Sequence, residues 1–443
     1  MKTWHYHSLC FAFCALSVAV AEDFNVRHFG ALGDGRTLDT RAFDNAIAAC
    51  SSAGGGRVVA PPGRYLLGTI RMRSQVNLHL QEGATLVGTT NLEAYYGFTP
   101  GLFQPELRVS RWHRGLILAE GATNVTFSGK GVINGSHVFD PRGEERMRGP
   151  HAILLGHCAQ VILRDILITN AANYGLLFFF SDHVLVTNAT FAAGWDGVHF
   201  RGSPQRWCRD VRIVDSRFYT GDDCIAGSYW QDTLISNCVI NSSCNGIRLI
   251  GPAVGLDLRR CDFFGPGLHD HRTSREQRRT NMLAAICLQP SGWEPMPGPM
   301  DQVHIADVTM RNISTPFHIV TRAGNTAGNL RIERVRATGA YRAACSVESW
   351  GEMTFTNVVF RDCQFGFTGG GTTNDAAMVV RQPGVDARKL PAWGFYARGV
   401  QRLALENVTF TLENADARPA LKTDSVGQLS LFEVFFPKGL TQP

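Results

Sequence analysis

The sequence lacks the features that mark several large classes of protein. After its first twenty residues it has no run of about 18 apolar residues, which a membrane-spanning helix needs. Charged residues make up only 18% of the 443 residues, and the formal net charge of +5 is too small and too diffuse for a nucleic-acid surface. There is also no low-complexity tract. We therefore expect neither a nucleic-acid partner nor a membrane-embedded domain.

Metal-type cysteine spacing is also missing. None of the twelve cysteines forms a CxxC pair, so we predict no metal site. Cys238 and Cys261 are 23 residues apart, which favours small buried thiols at equivalent places in a repeat; a disulfide framework is the alternative. The Gly54-Gly55-Gly56 run is not followed by Lys-Ser/Thr, so we interpret it as a turn and not as a phosphate loop.

The first 21 residues have the pattern of a signal peptide. Lys2 precedes an apolar stretch from Leu9 to Val20, and Ala19-Val20-Ala21 is a small-x-small cleavage site. The alternative is that this stretch stays as an anchor. We predict a secreted or periplasmic protein whose residues 22–443 form a single domain.

A short phrase recurs along the chain: apolar, any residue, apolar, then after one residue Asp, Asn or another polar group. Successive starts are mostly 22 to 27 residues apart, and two gaps of 47 and 50 are interpreted as two periods each. Such a period indicates a solenoid, and alternation inside the phrase indicates strands, so we predict an all-β parallel β-helix. The phrase begins at Val161, Val184, Val211, Thr233, Leu256, Val303, Leu330, Met353, Leu403 and Leu429.

One helix is predicted near the start. Between Thr37 and Cys50, apolar residues recur at helical spacing, at Ala42, Phe43, Ala46 and Ile47. Either Asp39 or Thr40 is available as the N-cap. A helix there would cover the open end of the solenoid, whose strand edges are otherwise unpaired.

A polar cluster lies in the middle of the repeats. Asp196 and Asp222 are 26 residues apart, and Asp222 and Asn245 are 23 apart, each about one period. Neighbouring coils lie about 4.8 Å apart, so we predict that these residues stack on one sheet.

These residues carry a resemblance to a known family. The opening segment, the triple-glycine turn, Asp196-Gly197, the Gly221-to-Cys224 run and Asn245-Gly246 together resemble glycoside hydrolase family 28, the polygalacturonase-like enzymes. The resemblance runs from about Asn25 to about Gly267. It implies a right-handed parallel β-helix that hydrolyses pectic polysaccharides with inversion and without a cofactor.

The resemblance also implies roles for the acidic residues. Asp222 corresponds to the general acid, while Asp196 and Asp223 hold the attacking water. Hydrolysis with inversion usually places the two carboxyl groups about 6.5–9.5 Å apart. Three carboxyl groups crowded on one sheet should also raise the pKa of one of them.

Two departures from the family pattern put the usual substrate in doubt. The family's histidine between glycines is replaced by Asn245, which follows Cys244 and precedes Gly246. The family's Arg-Ile-Lys, which grips a uronate, would fall near residues 285–289, where there is no cation. We expect Asn245 to bond a carboxylate or a sugar hydroxyl, or to be an ordinary turn residue.

Other side chains are candidates for binding the substrate. Arg248 follows Gly246 on one strand face, whereas strict alternation places His199 and Arg201 opposite Asp196 unless the strand bends. A basic loop, residues 269–279, offers Arg272, Arg275 or Arg278 to an acidic sugar. The aromatic candidates for stacking on sugar rings are Trp195, Tyr229, Trp230 and Trp293, and we favour Trp195 and Trp230 because they flank the carboxylates.

The sequence therefore predicts a monomeric glycosidase acting on a pectic or related acidic polysaccharide or oligosaccharide. One alternative is a polysaccharide lyase on the same scaffold, with Ca²⁺ held by the Asp196, Asp222 and Asp223 carboxylates. The other is a β-helix that binds carbohydrate without cleaving it.

Overall fold

The structure is a computed structural model that describes residues 23–99, 113–272 and 278–437. The predicted signal peptide, residues 1–21, lies outside the described residues. Within the described part of the chain, no helix has both the length and the apolar character needed to cross a membrane.

The described strands wind into a solenoid with three parallel sheets, as the sequence predicts. Each strand pairs with the equivalent strand of the next coil, so the chain visits the three sheets in turn. The first sheet contains β1 (Asp23–Asn25), β3 (Gly56–Ala60), β6 (Val76–Leu80), β10 (Thr123–Ser128), β13 (Ala159–Arg164), β16 (Asp182–Thr187), β19 (Cys208–Val214), β22 (Trp230–Ser236), β25 (Ala253–Arg259), β28 (Gly298–Arg311), β30 (Asn325–Ala340), β32 (Phe355–Phe367), β33 (Phe395–Leu412) and β34 (Leu421–Phe435).

The other two sheets are built from shorter strands. The second contains β2 (Asp34–Leu38), β4 (Gly63–Leu67), β7 (Ala84–Gly88), β11 (Val132–Asn134), β14 (Leu167–Thr169), β17 (Thr190–Ala192), β20 (Arg217–Thr220), β23 (Val239–Ser242) and β26 (Asp262–Phe264), and continues in β28. The third contains β5 (Ile70–Arg71), β9 (Arg114–Glu120), β12 (His151–Gly156), β15 (Leu176–Phe179), β18 (Val198–Arg201), β21 (Ile225–Ser228), β24 (Asn245–Leu249), β27 (Ala284–Leu288), β29 (Phe317–Thr321) and β31 (Cys345–Ser349), and continues in β33.

A few described elements lie outside the three sheets. Strand β8 (Tyr96–Gly97) pairs antiparallel with β9. Short 3₁₀ helices cover Val26–Phe29, Leu92–Ala94 and Glu144–Arg146, and two α-helices, α1 (Thr40–Ser52) and α2 (Thr373–Ala376), complete the set.

Helix α1 caps the first coil, as predicted. Phe43 and Ile47 are fully buried on its inner face, and the Phe43 ring meets Tyr65 edge-on at 5.2 Å. Asp39 is the N-cap residue, but its carboxylate accepts the backbone N–H groups of Leu32 and Gly33 at 2.8 and 3.0 Å and makes no cap bond to the helix. The acid therefore ties the helix start to the preceding turn.

At nine of its ten starts, the repeated phrase aligns with a residue that the structure pairs with the equivalent residue of the next coil. Val161 pairs with Val184, Val184 with Val211, and the alignment continues to Leu429. The start at Met353 is wrong, because the partner of Leu330 is Val358.

The interpretation of the two long gaps as double periods is also wrong. Leu256 pairs directly with Val303, and Val358 pairs directly with Leu403. Each gap is therefore a single coil that carries an insertion, around residues 265–283 and 368–394 respectively.

The polar residue that ends each phrase has a backbone reason. Asp165, Asn188, Asp215 and Asn237 all have positive φ, between 47° and 64°. Asn and Asp tolerate this left-handed conformation better than other side-chain-bearing residues. The phrase thus marks the corner of each coil.

Eight of the ten described cysteines pack in the narrow core, as predicted, whereas Cys244 lines a cleft and Cys287 faces outward from the third sheet. All ten are buried, and Cys238 and Cys261 occupy adjacent coils as free thiols.

Candidate active site

Three corners of the third sheet carry the acidic cluster. They directly precede β18, β21 and β24, whose register pairs Val198 with Ile225 and Ile225 with Ile247. This register places Asp196, Asp223 and Asn245 at equivalent positions. The prediction that Asp222 stacks between Asp196 and Asn245 is therefore wrong by one residue.

The three carboxyl groups face one cleft of about 390 Å³. One oxygen from each of Asp196, Asp222 and Asp223 lies within 4.8 Å of the others. This spacing is shorter than the 6.5–9.5 Å gap expected from the sequence. It is short enough for two carboxyl groups to hydrogen-bond one water molecule, because an O–H···O distance is about 2.8 Å.

Asp222 is held by two cationic or protonatable partners. Arg148 donates to its Oδ2 at 2.9 Å, and His271 Nε2 lies 3.4 Å from its Oδ1. Burial pushes the pKa of Asp222 upward, but the His271 hydrogen bond and the Arg148 charge outweigh it and hold the pKa well below its usual range. Asp222 is thus the ionised member of the cluster.

Asp223 has a different environment. Its Oδ1 accepts from both the backbone N–H and the side-chain amide of Asn245, at 3.0 and 2.8 Å. Burial, followed by the negative charge of Asp222, raises the pKa of Asp223 to about 6. Of the three outcomes considered for Asn245, the structure shows the bond to a carboxylate.

Asp196 is paired with His199. Arg201 Nε donates to His199 Nε2 at 2.8 Å, so the proton of the neutral ring lies on Nδ1, which donates to Asp196 Oδ2 at 2.7 Å. Burial, followed by the charges of Asp222 and Asp223, raises the pKa of Asp196 well above its usual value. The alternation argument against His199 does not apply, because Asp196 precedes the strand and lies in the turn.

Trp195 supports Arg148 and does not offer a face to a sugar. Its indole N–H donates to the Ala172 carbonyl at 3.1 Å, and the Arg148 guanidinium lies 3.9 Å from the ring centroid. Trp195 is only 4% exposed. The prediction that Trp195 stacks on substrate is therefore wrong, because the arginine occupies its face.

Trp230 is also buried. It is 0% exposed, it stacks on Phe200 at 4.4 Å, and its N–H donates to the Phe200 carbonyl at 3.2 Å. The prediction that Trp230 contacts sugar, made because it flanks the carboxylates in the sequence, is wrong because the side chain lies inside the core. Trp293 instead lines the cleft and is 66% exposed.

Arg248 lines the cleft as predicted from its strand face. Its guanidinium donates to the Val385 carbonyl at 2.6 Å and lies 5.8 Å from the Trp293 ring centroid. Arg272 is not among the described residues that line the cleft, so its predicted contact with an acidic sugar lacks support. Arg278 pairs with Asp270 at 3.2 Å, and Arg275 lies outside the described residues.

Several cleft residues escaped the sequence analysis. Arg148 and Glu144 come from the loop before β12, while His271 and Arg279 come from the first insertion. The basic loop was a usable signal for His271, since that residue lies inside it. No sequence signal points to Arg148, because its partner Asp222 is 74 residues away.

Among the residues that the structure describes, two sets of side chains bring donor atoms close enough for a metal ion. They are Asp196, Asp222 and Asp223, and separately Asp222, Cys244 and His271. The all-carboxylate set offers the oxygen ligands that Ca²⁺ prefers, and the mixed set suits a softer ion such as Zn²⁺. Arg148 already satisfies one Asp222 oxygen, which competes with a cation at either set.

Comparison with known proteins finds a matching family, related sequences and similar solved structures. A sequence model described as "Rhamnogalacturonase A/epimerase, pectate lyase-like" matches residues 24–248, just over half of the chain. The chain is 26% identical over 215 residues to "Probable polygalacturonase" of Vitis vinifera, covering 46% of this chain and 44% of that protein. It is 28% identical over 265 residues to "Exo-poly-alpha-D-galacturonosidase" of Dickeya chrysanthemi, covering 47% and 42%.

The aligned part spans less than half the length of each of these two relatives. Among solved structures, a hyperthermoactive exopolygalacturonase from Thermotoga maritima superposes with a TM-score of 0.63 at 18% identity, covering 88% of this chain and 92% of that one. At this identity the likeness establishes the shared fold.

Proposed function

Because the chain belongs to the rhamnogalacturonase A/epimerase, pectate lyase-like family, we propose that it hydrolyses glycosidic bonds in an acidic glycan of the pectic type. The observation that carries the proposal is the split of charge inside one carboxylate cluster. Asp222 is ionised beside Arg148, while the neighbouring Asp223 has a pKa of about 6. Glycoside hydrolysis needs one carboxylic acid and one carboxylate together.

The charge split favours a definite division of roles. Asp223 donates its proton to the leaving glycosidic oxygen, and the Asp222 carboxylate takes a proton from the water that attacks the anomeric carbon. This differs from the resemblance, which implies Asp222 as the acid. Direct attack by water inverts the anomeric configuration, because the base activates the water on the face of the sugar opposite to the leaving oxygen.

An acidic sugar fits the charges that line the cleft. Arg201, Arg248 and Arg279 all face it, and none of them belongs to the Arg-Ile-Lys motif that is missing here. Guanidinium groups pair bidentately with carboxylates, so these arginines supply the uronate recognition that residues 285–289 lack.

The test compares Asp222→Asn and Asp223→Asn on oligogalacturonides and on an aryl glycoside with a good leaving group. New reducing ends without unsaturated products support hydrolysis. Because a good leaving group does not need protonation, Asp223→Asn should lose about 10²–10⁴-fold on the natural bond and much less on the aryl glycoside. Asp222→Asn should lose a similar factor on both.

If instead only Asp222→Asn regains activity on the aryl glycoside, Asp222 is the general acid. Proton NMR of the first product should show the inverted anomer. Unsaturated products that need Ca²⁺ and vanish with chelator would make the protein a lyase. Sugar binding without turnover would leave a carbohydrate-binding protein.

A further inference from the structure

The outer face of the third sheet carries a column of side chains, one from each coil, and the floor of the cleft is a short part of this column. Strand register aligns one outward-facing residue from each successive coil. In order they are Leu118, Leu154, Leu177, His199, Ala226, Arg248, Cys287, His318, Ser346 and Tyr396. Of these column residues, His199 in β18 and Arg248 in β24 line the cleft, and Asp222 and Asp223 line it from the turn before β21. Those three strands span about 10 Å at the usual 4.8 Å spacing.

Apolar packing covers the column on the N-terminal side of the cleft. Leu118, Leu154 and Leu177 are each at most 1% exposed and form a cluster outside the solenoid core. Phe98 and Met147 pack over this cluster, and the Phe98 ring meets Phe179 edge-on at 5.9 Å. We call this cover the N-terminal wall.

The second insertion covers the column on the other side. The column residues on this side, Cys287, His318, Ser346 and Tyr396, are all at most 1% exposed. We call residues 380–390 of this insertion the C-terminal wall. Leu390 packs on Tyr396, and Arg388 makes a bidentate ion pair with the fully buried Glu348 at 2.9 and 2.7 Å.

Specific hydrogen bonds fix the edge of the C-terminal wall at the cleft. Arg322 donates to the Pro383 and Gly384 carbonyls at 2.6 and 2.8 Å, and Gln289 donates to Gly384 at 2.6 Å. Arg248, in the cleft itself, donates to the Val385 carbonyl. The wall is thus anchored from three successive coils.

If a glycan lies along this column, across the strands, its interior can bind only where the groove is open at both ends. Here the sheet face is covered on both sides of a three-strand floor. We propose that the site accepts a chain end or a short oligosaccharide of an acidic glycan, and that the C-terminal wall is what excludes internal segments. This inference rests on the proposed hydrolysis and specifies its substrate.

The product pattern tests the proposal on the intact protein. With polygalacturonic acid and a ladder of oligogalacturonides, every substrate length should release the same small product from the first turnovers, and polymer viscosity should fall little while reducing ends accumulate. A rapid loss of viscosity with early products of mixed size would overturn this inference and leave hydrolysis standing. No product from any of these substrates would count against the proposed function itself.

An opened-wall variant provides a second test. It replaces residues 381–387 by a shorter Gly-Ser link and keeps Arg388 to neutralise Glu348. The expected result is a shift toward internal cleavage, seen as mixed product sizes and faster loss of viscosity. The matched control replaces α2, which belongs to the same insertion but does not line the cleft, and should keep the wild-type pattern. A folded opened-wall variant with the wild-type pattern would overturn the role of the wall.

Discussion

At the scale of single residues, the two adjacent acids Asp222 and Asp223 have pKa values that are shifted in opposite directions. They share one turn, in which Asp222 is buried and Asp223 is partly exposed, and only Asp222 has a guanidinium and an imidazole beside it. Asp223 receives neutral amide donors from Asn245 instead. The positions of Arg148 and His271 therefore decide which carboxyl group keeps its proton.

This difference predicts a pH-dependent stability for Asp223→Asn. The folded-state pKa of about 6 exceeds the unfolded value of about 3.9, so ionising Asp223 costs up to about 3 kcal/mol as the pH rises from 4 to above 6. The asparagine does not ionise. We expect the variant to unfold at a higher temperature than wild type at pH 7 and at the same temperature near pH 4, as measured by calorimetry.

The adjacent substitution is the matched control. Asp222→Asn removes one of the two carboxylates that pair with the buried Arg148, the other being Glu145, so it should lower the melting temperature at pH 7. If Asp223→Asn is also destabilising at pH 7, the raised pKa of Asp223 is refuted.

At the scale of elements, coil spacing depends on small residues where strands touch. A Cβ added at Gly246 in β24 would lie 2.5 Å from the Ala285 carbonyl oxygen and 2.6 Å from the Phe263 ring. Neither neighbour is a flexible side-chain end. Asn245, which holds Asp223, is the preceding residue.

We therefore predict that Gly246→Ala is destabilising by about 1–3 kcal/mol and lowers activity by moving Asn245. Urea unfolding and turnover on the same preparation measure both effects. Gly384→Ala is the control, because nothing lies within 4 Å of its added Cβ and its φ is not in the left-handed region. Equal stability of the two variants would contradict the packing argument.

The insertions are the other decisive elements. The first supplies His271 and Arg279 to the cleft, and the second supplies the C-terminal wall. Both interrupt the repeat without changing the strand register, because Leu256 still pairs with Val303 and Val358 still pairs with Leu403. The coils give the cleft its floor and the insertions give it its shape.

At the scale of the whole molecule, the solenoid has two unequal ends. Helix α1 covers the first coil, whereas β34 pairs only with β33 among the described strands and exposes Leu431, Phe432 and Phe435. Stability in such a fold is close to a sum of contacts between neighbouring coils. The last described coil has one neighbour fewer than the coils of the site.

Hydrogen exchange should report this asymmetry. We expect amides of β34 to exchange at least tenfold faster than those of β24, which has β21 on one side and β27 on the other. Peptide-resolved mass spectrometry measures both strands in one experiment, with α1 as the protected-end reference. Uniform protection along the solenoid would contradict one-dimensional stacking.

The sequence by itself determined the fold, because a parallel β-helix repeats the same physical requirement at every coil. Apolar residues alternate inward, and Asp or Asn accepts the left-handed corner, so nine phrase starts predicted the register. Helix α1 and the grouping of Asp196, Asp222 and Asp223 followed from the same local rules.

Only the tertiary structure decided what surrounds those acids. Arg148 reaches Asp222 from 74 residues away, and the C-terminal wall reaches Arg248 from 137 away. The repeat in the sequence does not predict such contacts, because each one occurs once and comes from an insertion or a loop. For the same reason sequence proximity wrongly predicts that Trp195 and Trp230 contact the substrate, whereas other side chains pack over both rings and cover them.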